Sequence, residues 1–164
     1  MLLLSLPSRH PYLIVIWAVI TFMCGAEHAG FVIYLLAAPS LVYAVTRCLF
    51  NLRSAKVRNK YAFLTAVILL SSAIVAGVHT WRHHQARDYA DTIVAALEKH
   101  QQQYGKLPVS LDEIPALASD GRRPHMLAYL NGKDGPYLMY AATFVPFEAW
   151  HYDFKERLWV YDYD

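Results

Sequence analysis

Residues 60–104 read KYAFLTAVILLSSAIVAGVHTWRHHQARDYADTIVAALEKHQQQY, and this stretch decides the fold. Between Lys60 and Arg82 lie 21 residues without a formal charge. As a helix they rise about 31 Å, close to the thickness of a bilayer's hydrocarbon core. From Arg82 the sequence turns polar, yet neither proline nor glycine interrupts it before Gly105. Ala90, Ile93, Leu97 and Tyr104 recur at helical spacing. One long helix is predicted, its first part in lipid and its second in water, stopped at Gly105-Lys106-Leu107-Pro108.

Charge is divided unevenly around this helix. The 164 residues carry a net +2, too nearly neutral to argue for nucleic acid as a partner. Before residue 82 there are six basic residues and one acid, Glu27; from Arg82 onward there are nine basic and twelve acidic. The expected organisation is a transmembrane region over residues 1–81 and a small extracytoplasmic domain over 82–164, large enough for one small core.

Two further hydrophobic runs precede the long helix. Arg9 and Glu27 bound an uncharged run whose expected span is about 11–26, with Pro11 suited to a helix start. A cleaved signal peptide is the competing reading; a second apolar run following at once favours a retained helix. The second span is expected at about 29–46, with Pro39 kinking it, and the link GAEHAG (25–30) makes a tight antiparallel hairpin. The third span is 61–81. Arg47, Arg53, Lys56, Arg58 and Lys60 then define a basic loop, 47–60, which is cytoplasmic by the positive-inside rule. The amino terminus is then cytoplasmic as well, and in a bacterial inner membrane residues 82–164 are periplasmic. Cys24 and Cys48 fall near opposite ends of their spans, too far apart for a disulfide.

In the polar domain, Ser110-Leu111-Asp112-Glu113 has the form of a capping box and predicts a short helix to about Ala118. Asp120-Gly121 predicts a turn. Four strands follow, over 125–130, 137–144, 149–154 and 158–163, with a strong turn signal at Asn131–Gly135. Short links make neighbouring strands antiparallel. The fold class is therefore an α+β membrane protein: three transmembrane helices, the third continuing as a long helix packed on a four-stranded antiparallel sheet through its Ala90/Ile93/Leu97/Tyr104 face.

Ala96-Leu97, Tyr104-Gly105, Pro108 and Ser110-Leu111 together resemble the end of the long helix in type IV pilins and type II secretion pseudopilins. The resemblance covers about residues 61–164. It implies a pilin-like domain, in which the outer half of a membrane-embedded helix packs on an antiparallel sheet. The chain departs from pilins in two ways. Leu35, not glutamate, stands five residues into a chain counted from Phe31, and the pilin-like helix comes third.

No nucleophile elbow, phosphate-binding glycine loop, HExxH or CxxC occurs. His79, His83 and His84, with Asp88, Glu27 and His28, are weighed as a zinc or copper site. Trp81, Arg82, His83, His84 and Arg87 read better as a membrane-interface belt. Asp112 and Glu113 are explained by capping; Asp153, Asp162 and Asp164 are weighed as a metal or acid cluster on the sheet and read better as solubilising charge at its edge. Trp150, Trp159, Tyr161 and Tyr163 cannot all share one face of a sheet, so some are expected to be exposed as partner-binding anchors; thickening the core or resting on the membrane surface are the alternatives.

The expected function is that of a non-enzymatic protein-binding module without cofactor, anchored in the inner membrane. Its sharpest form is an immunity protein neutralising a secreted antibacterial toxin. An accessory or minor component of a pilus or type II secretion assembly, binding another pilin-like subunit, is the alternative; a metal-binding membrane enzyme or sensor is the third.

Overall fold

In a computed structural model, residues 11–118, 127–133 and 135–162 are described. Helices α1 (Pro11–Cys24), α2 (Val32–Phe50) and α3 (Ala55–Tyr104) are followed by a 3₁₀ turn (Leu111–Glu113) and a short α4 (Pro115–Ala118). Strands β1 (Leu127–Gly132), β2 (Gly135–Ala141), β3 (Ala149–Asp153) and β4 (Leu158–Asp162) form one antiparallel sheet in sequence order. The chain is thus α+β, with a 50-residue helix and a four-stranded meander. It divides into two compact units, Met1–Thr80 and Trp81–Asp164.

In the first unit, Trp17, Cys24, Ile33, Ala37, Ile68 and Val75 from three helices share one buried cluster. Of the three expected spans, two are helices long and apolar enough to cross a membrane: α2 and the apolar part of α3. Helix α1 is apolar but only 14 residues long, about 21 Å, and ends at Cys24 rather than near residue 26. It stops there because the Gly25 amide closes the last turn on the Thr21 carbonyl and the chain then bends through His28, at φ 64°. The hydroxyls of Thr21, Thr65 and Ser72 donate to carbonyls one turn back, so these polar groups are satisfied within their own helices. Pro39 lies inside α2, and both cysteines are free.

The expected basic loop is mostly helix. Only Asn51–Ser54 separates α2 from α3; Arg47 sits in the last turn of α2, and Lys56, Arg58 and Lys60 open α3. Residues 47–60 contain neither proline nor glycine, so the helices run close to each other in sequence, and Asn51 closes α2 by donating its side-chain amide to the Arg47 carbonyl.

In the second unit α3 lays Ala86, Ala90, Ile93, Val94 and Leu97 against Leu127, Tyr129, Leu138, Tyr140, Tyr152 and Trp159. Tyr104, expected on this face, is instead 66% exposed and meets the His100 ring at a tilt, centroids 4.6 Å apart. The chain reverses at Gly105, whose φ of 73° suits glycine, and the returning Leu107, Leu111 and Ile114 complete the core beyond Leu97. Tyr129 donates its hydroxyl to the Pro108 carbonyl at 2.9 Å, and Asn131 reaches the same carbonyl at 3.0 Å, tying the return segment to β1. Ser110 accepts from the Asp112 amide and Glu113 from the Val109 amide, a capping box drawn around the 3₁₀ turn. The turn expected at Asp120-Gly121 and the start of the first strand at 125–126 lie outside the described residues. Strand β2 ends at Ala141, short of the expected 144, where the Ala142 amide bonds the Glu148 carbonyl and closes the β2–β3 loop.

Candidate functional site

Pleating gives the sheet two faces of different character. On the face toward α3, Tyr152 opposes Trp159 and Trp150 opposes Tyr161 across the β3–β4 ladder, ring centroids 5.3 and 4.8 Å apart. Tyr140 meets the edge of Trp159 at 5.1 Å. Trp159, an expected contact residue, is therefore core, only 9% exposed. Its indole N–H donates to Asp91 at 2.8 Å, and the Arg87 guanidinium lies 4.9 Å over its ring while pairing with Asp91 at 3.3 Å. Trp150 and Tyr161 are half-buried, and the Tyr161 hydroxyl donates to the Glu148 carboxylate. Tyr163 lies outside the described residues.

The expected interface belt is split by the same packing. Positions 83, 87, 90, 94 and 97 follow one stripe of α3, so His83 and Arg87 face the sheet rather than forming a ring with their neighbours. His83 lies 5.3 Å from the Trp150 ring and 6.0 Å from that of Tyr140. Burial holds its imidazole below the usual range, with the charges of His84 and Arg87 acting in the same direction. Trp81 is 60% exposed, His84 is exposed and Arg82 is half-buried.

His79 is buried, with Nε2 3.0 Å from the Cys24 carbonyl. Among the described residues no three His, Cys, Asp or Glu side chains come together as metal ligands. Asp153 accepts from the Lys155 and Glu156 amides and so caps the β3–β4 turn; these bonds, Glu156's first, lower its pKa. Asp162 is 3.9 Å from His151, and Asp164 lies outside the described residues.

Sequence reasoning missed the sheet's other face. Ala128, Met139, His151 and Val160 form one row across the four strands, flanked by the β1–β2 pair Leu130 and Tyr137 and by Leu158 on β4. Leu130 is 65% exposed, Leu158 48% and Tyr137 39%, with His151 stacked 6.1 Å from Tyr137. The outward residues alternate with core residues in every strand. That period-two signal, read against a helix on one face only, locates them once the register is known. No family model, curated protein or solved structure matches the chain.

Proposed function

We propose that this chain is a non-catalytic protein-binding module anchored in the bacterial inner membrane, α2 and the apolar part of α3 crossing the bilayer and residues 82–164 facing the periplasm. Its partner in this reading is a secreted antibacterial toxin, which it neutralises as an immunity protein. The observation that carries the binding role is the outward face of the sheet. Among the described residues a helix covers only the other side, yet Leu130, Tyr137, Met139, Val160 and Leu158 make this one apolar between Asp153 and Asp162.

The anchor has its own support. Residues 61–81 are uncharged, and their Thr65 and Ser72 hydroxyls bond within the helix, as a lipid environment demands. Lys56 and Arg58 occupy the first turn of α3, where the helix dipole disfavours cations. Helix stability does not select them there; a cytoplasmic membrane surface does.

Expression beside a genetically neighbouring toxin tests the reading. Cells carrying the intact chain survive, and Leu130→Asp with Tyr137→Asp abolishes survival at unchanged protein level. Survival that does not depend on the chain rejects it. A second reading, an accessory component of a pilus or type II secretion assembly, is favoured by the long helix packed on a sequential four-stranded meander. Deletion would then impair secretion or twitching, and unimpaired secretion counts against it.

A further inference from the structure

The loop between β2 and β3, residues 142–148, carries a feature the outward sheet face does not explain. Phe147 is 95% exposed, more than any other large apolar side chain among the described residues of the second unit, and holds φ at 69°. A bulky aromatic in that region of backbone space is strained, and strain retained at an exposed position points to a role for the side chain. Its neighbours Phe144, Val145 and Pro146 are partly exposed, and residues 142–147 contain no charged group. The one carboxylate that follows, Glu148, is engaged by the Tyr161 hydroxyl.

The register shows which end of the unit this loop occupies. Trp150 meets His83, whereas Trp159, which opposes Tyr152, bonds Asp91, two turns further along α3. Strand β3 therefore advances with α3, and its start points back toward Trp81. The β2–β3 loop, which precedes β3, projects at that end. At the other end the turns carry Lys133, Lys155, Glu156 and Arg157, all exposed. Charged groups stand at both ends, Asp162 facing Ala149 at the loop's end; what distinguishes that end, where the uncharged run of α3 gives out, is the exposed aromatic tip of the loop.

We infer that the β2–β3 loop rests in the bilayer interface, Phe147 entering the headgroup–acyl boundary beside Trp81, so that the head is held against the membrane by a second contact. The inference builds on the membrane reading above. Lipid is favoured over a protein occupant because the apolar tip lies at the end of the unit from which a spanning helix would enter the bilayer. Exposed Trp81 and the cationic Arg82 also match the preference of that layer for aromatic rings and basic groups.

The full chain, with Cys24 and Cys48 changed to alanine, is spin-labelled in turn at positions 147, 145, 74 and 155. It is then reconstituted in vesicles of phosphatidylcholine with phosphatidylglycerol. Collision rates with oxygen and with a water-soluble nickel chelate report the surroundings of each label. The labels at 147 and 145 are expected to show an oxygen-to-nickel ratio several-fold above that at 155. A ratio at 147 and 145 equal to that at 155, with 74 in lipid, overturns the loop contact and leaves the membrane reading standing. A water-exposed label at 74 overturns both. Shielding of 147 from both agents places the loop against protein and also overturns the proposal. Phe147→Trp in the cysteine-containing chain gives an independent reading: its added fluorescence is quenched by brominated phosphatidylcholine rather than acrylamide, and the reverse order sinks the idea.

Discussion

Asp91 serves two neighbours at once, accepting from the Trp159 indole and pairing with Arg87. The pair with Arg87 is solvent-exposed and contributes little; the bond to the indole of a buried tryptophan matters more. Asp91→Ala is expected to cost about 1–2 kcal/mol, the penalty of an unpaired donor, while Asp91→Asn, which keeps an acceptor, costs less than half of that. Urea unfolding followed by tryptophan fluorescence measures both.

Tyr129 offers a pH test at the same scale. Burial, with Glu113 adding, pushes its hydroxyl up to about 12. A pKa raised in the folded state contributes stability that is complete below the unfolded value near 10 and is lost as pH rises through the folded one. Stability should therefore fall between about pH 10 and 12. Tyr140 and Tyr152, also raised by burial, contribute in the same direction. Tyr129→Phe should make the fall shallower at a cost near 1 kcal/mol at neutral pH, since Asn131 still satisfies the Pro108 carbonyl. Absorbance of tyrosinate against pH, beside urea melts, distinguishes the variant from the parent.

At the scale of the element, α3 is two helices in chemical terms and one in its backbone. Leu97 and Tyr104 fall on the same side of its helical wheel, yet Leu97 is fully buried and Tyr104 extends past the core. Leu97→Ala is expected to cost roughly 2–5 kcal/mol and Tyr104→Ala no more than about 0.5 kcal/mol. Equal costs for the two would contradict the chain reversal at Gly105. Periodicity alone makes the two residues equivalent; what separates them is where the partner strands end, and that depends on contacts with Leu107, Leu111 and Ile114 from the return segment. The same limit applies to His83 and Arg87. Their place beside Trp81, Arg82 and His84 in the chain suggests a ring at the membrane, while the stripe that faces the sheet takes them out of it.

At the scale of the molecule, the proposed orientation makes a direct demand on fusions. Alkaline phosphatase joined after Asp164 should be active, and a green fluorescent protein there dark; fusions within Asn51–Ser54 should behave the opposite way. The inverse pattern would reverse the reading of Arg47, Arg53, Lys56, Arg58 and Lys60 as a cytoplasmic cluster.

The amino-acid sequence by itself determined the long helix, its change from apolar to polar at Arg82, the stop at Gly105, and four consecutive strands. Each of these follows from local spacing, from the absence of helix breakers, or from turn residues whose backbone preferences act over a few positions. Tertiary structure alone decided which aromatics are core. Trp159 is buried because register sets it opposite Tyr152 and over Asp91 and Arg87, while Leu130, Tyr137 and Leu158 are left outward by the same pleat. A strand's two faces are interchangeable until a helix covers one of them, and only packing over long sequence separation makes that choice.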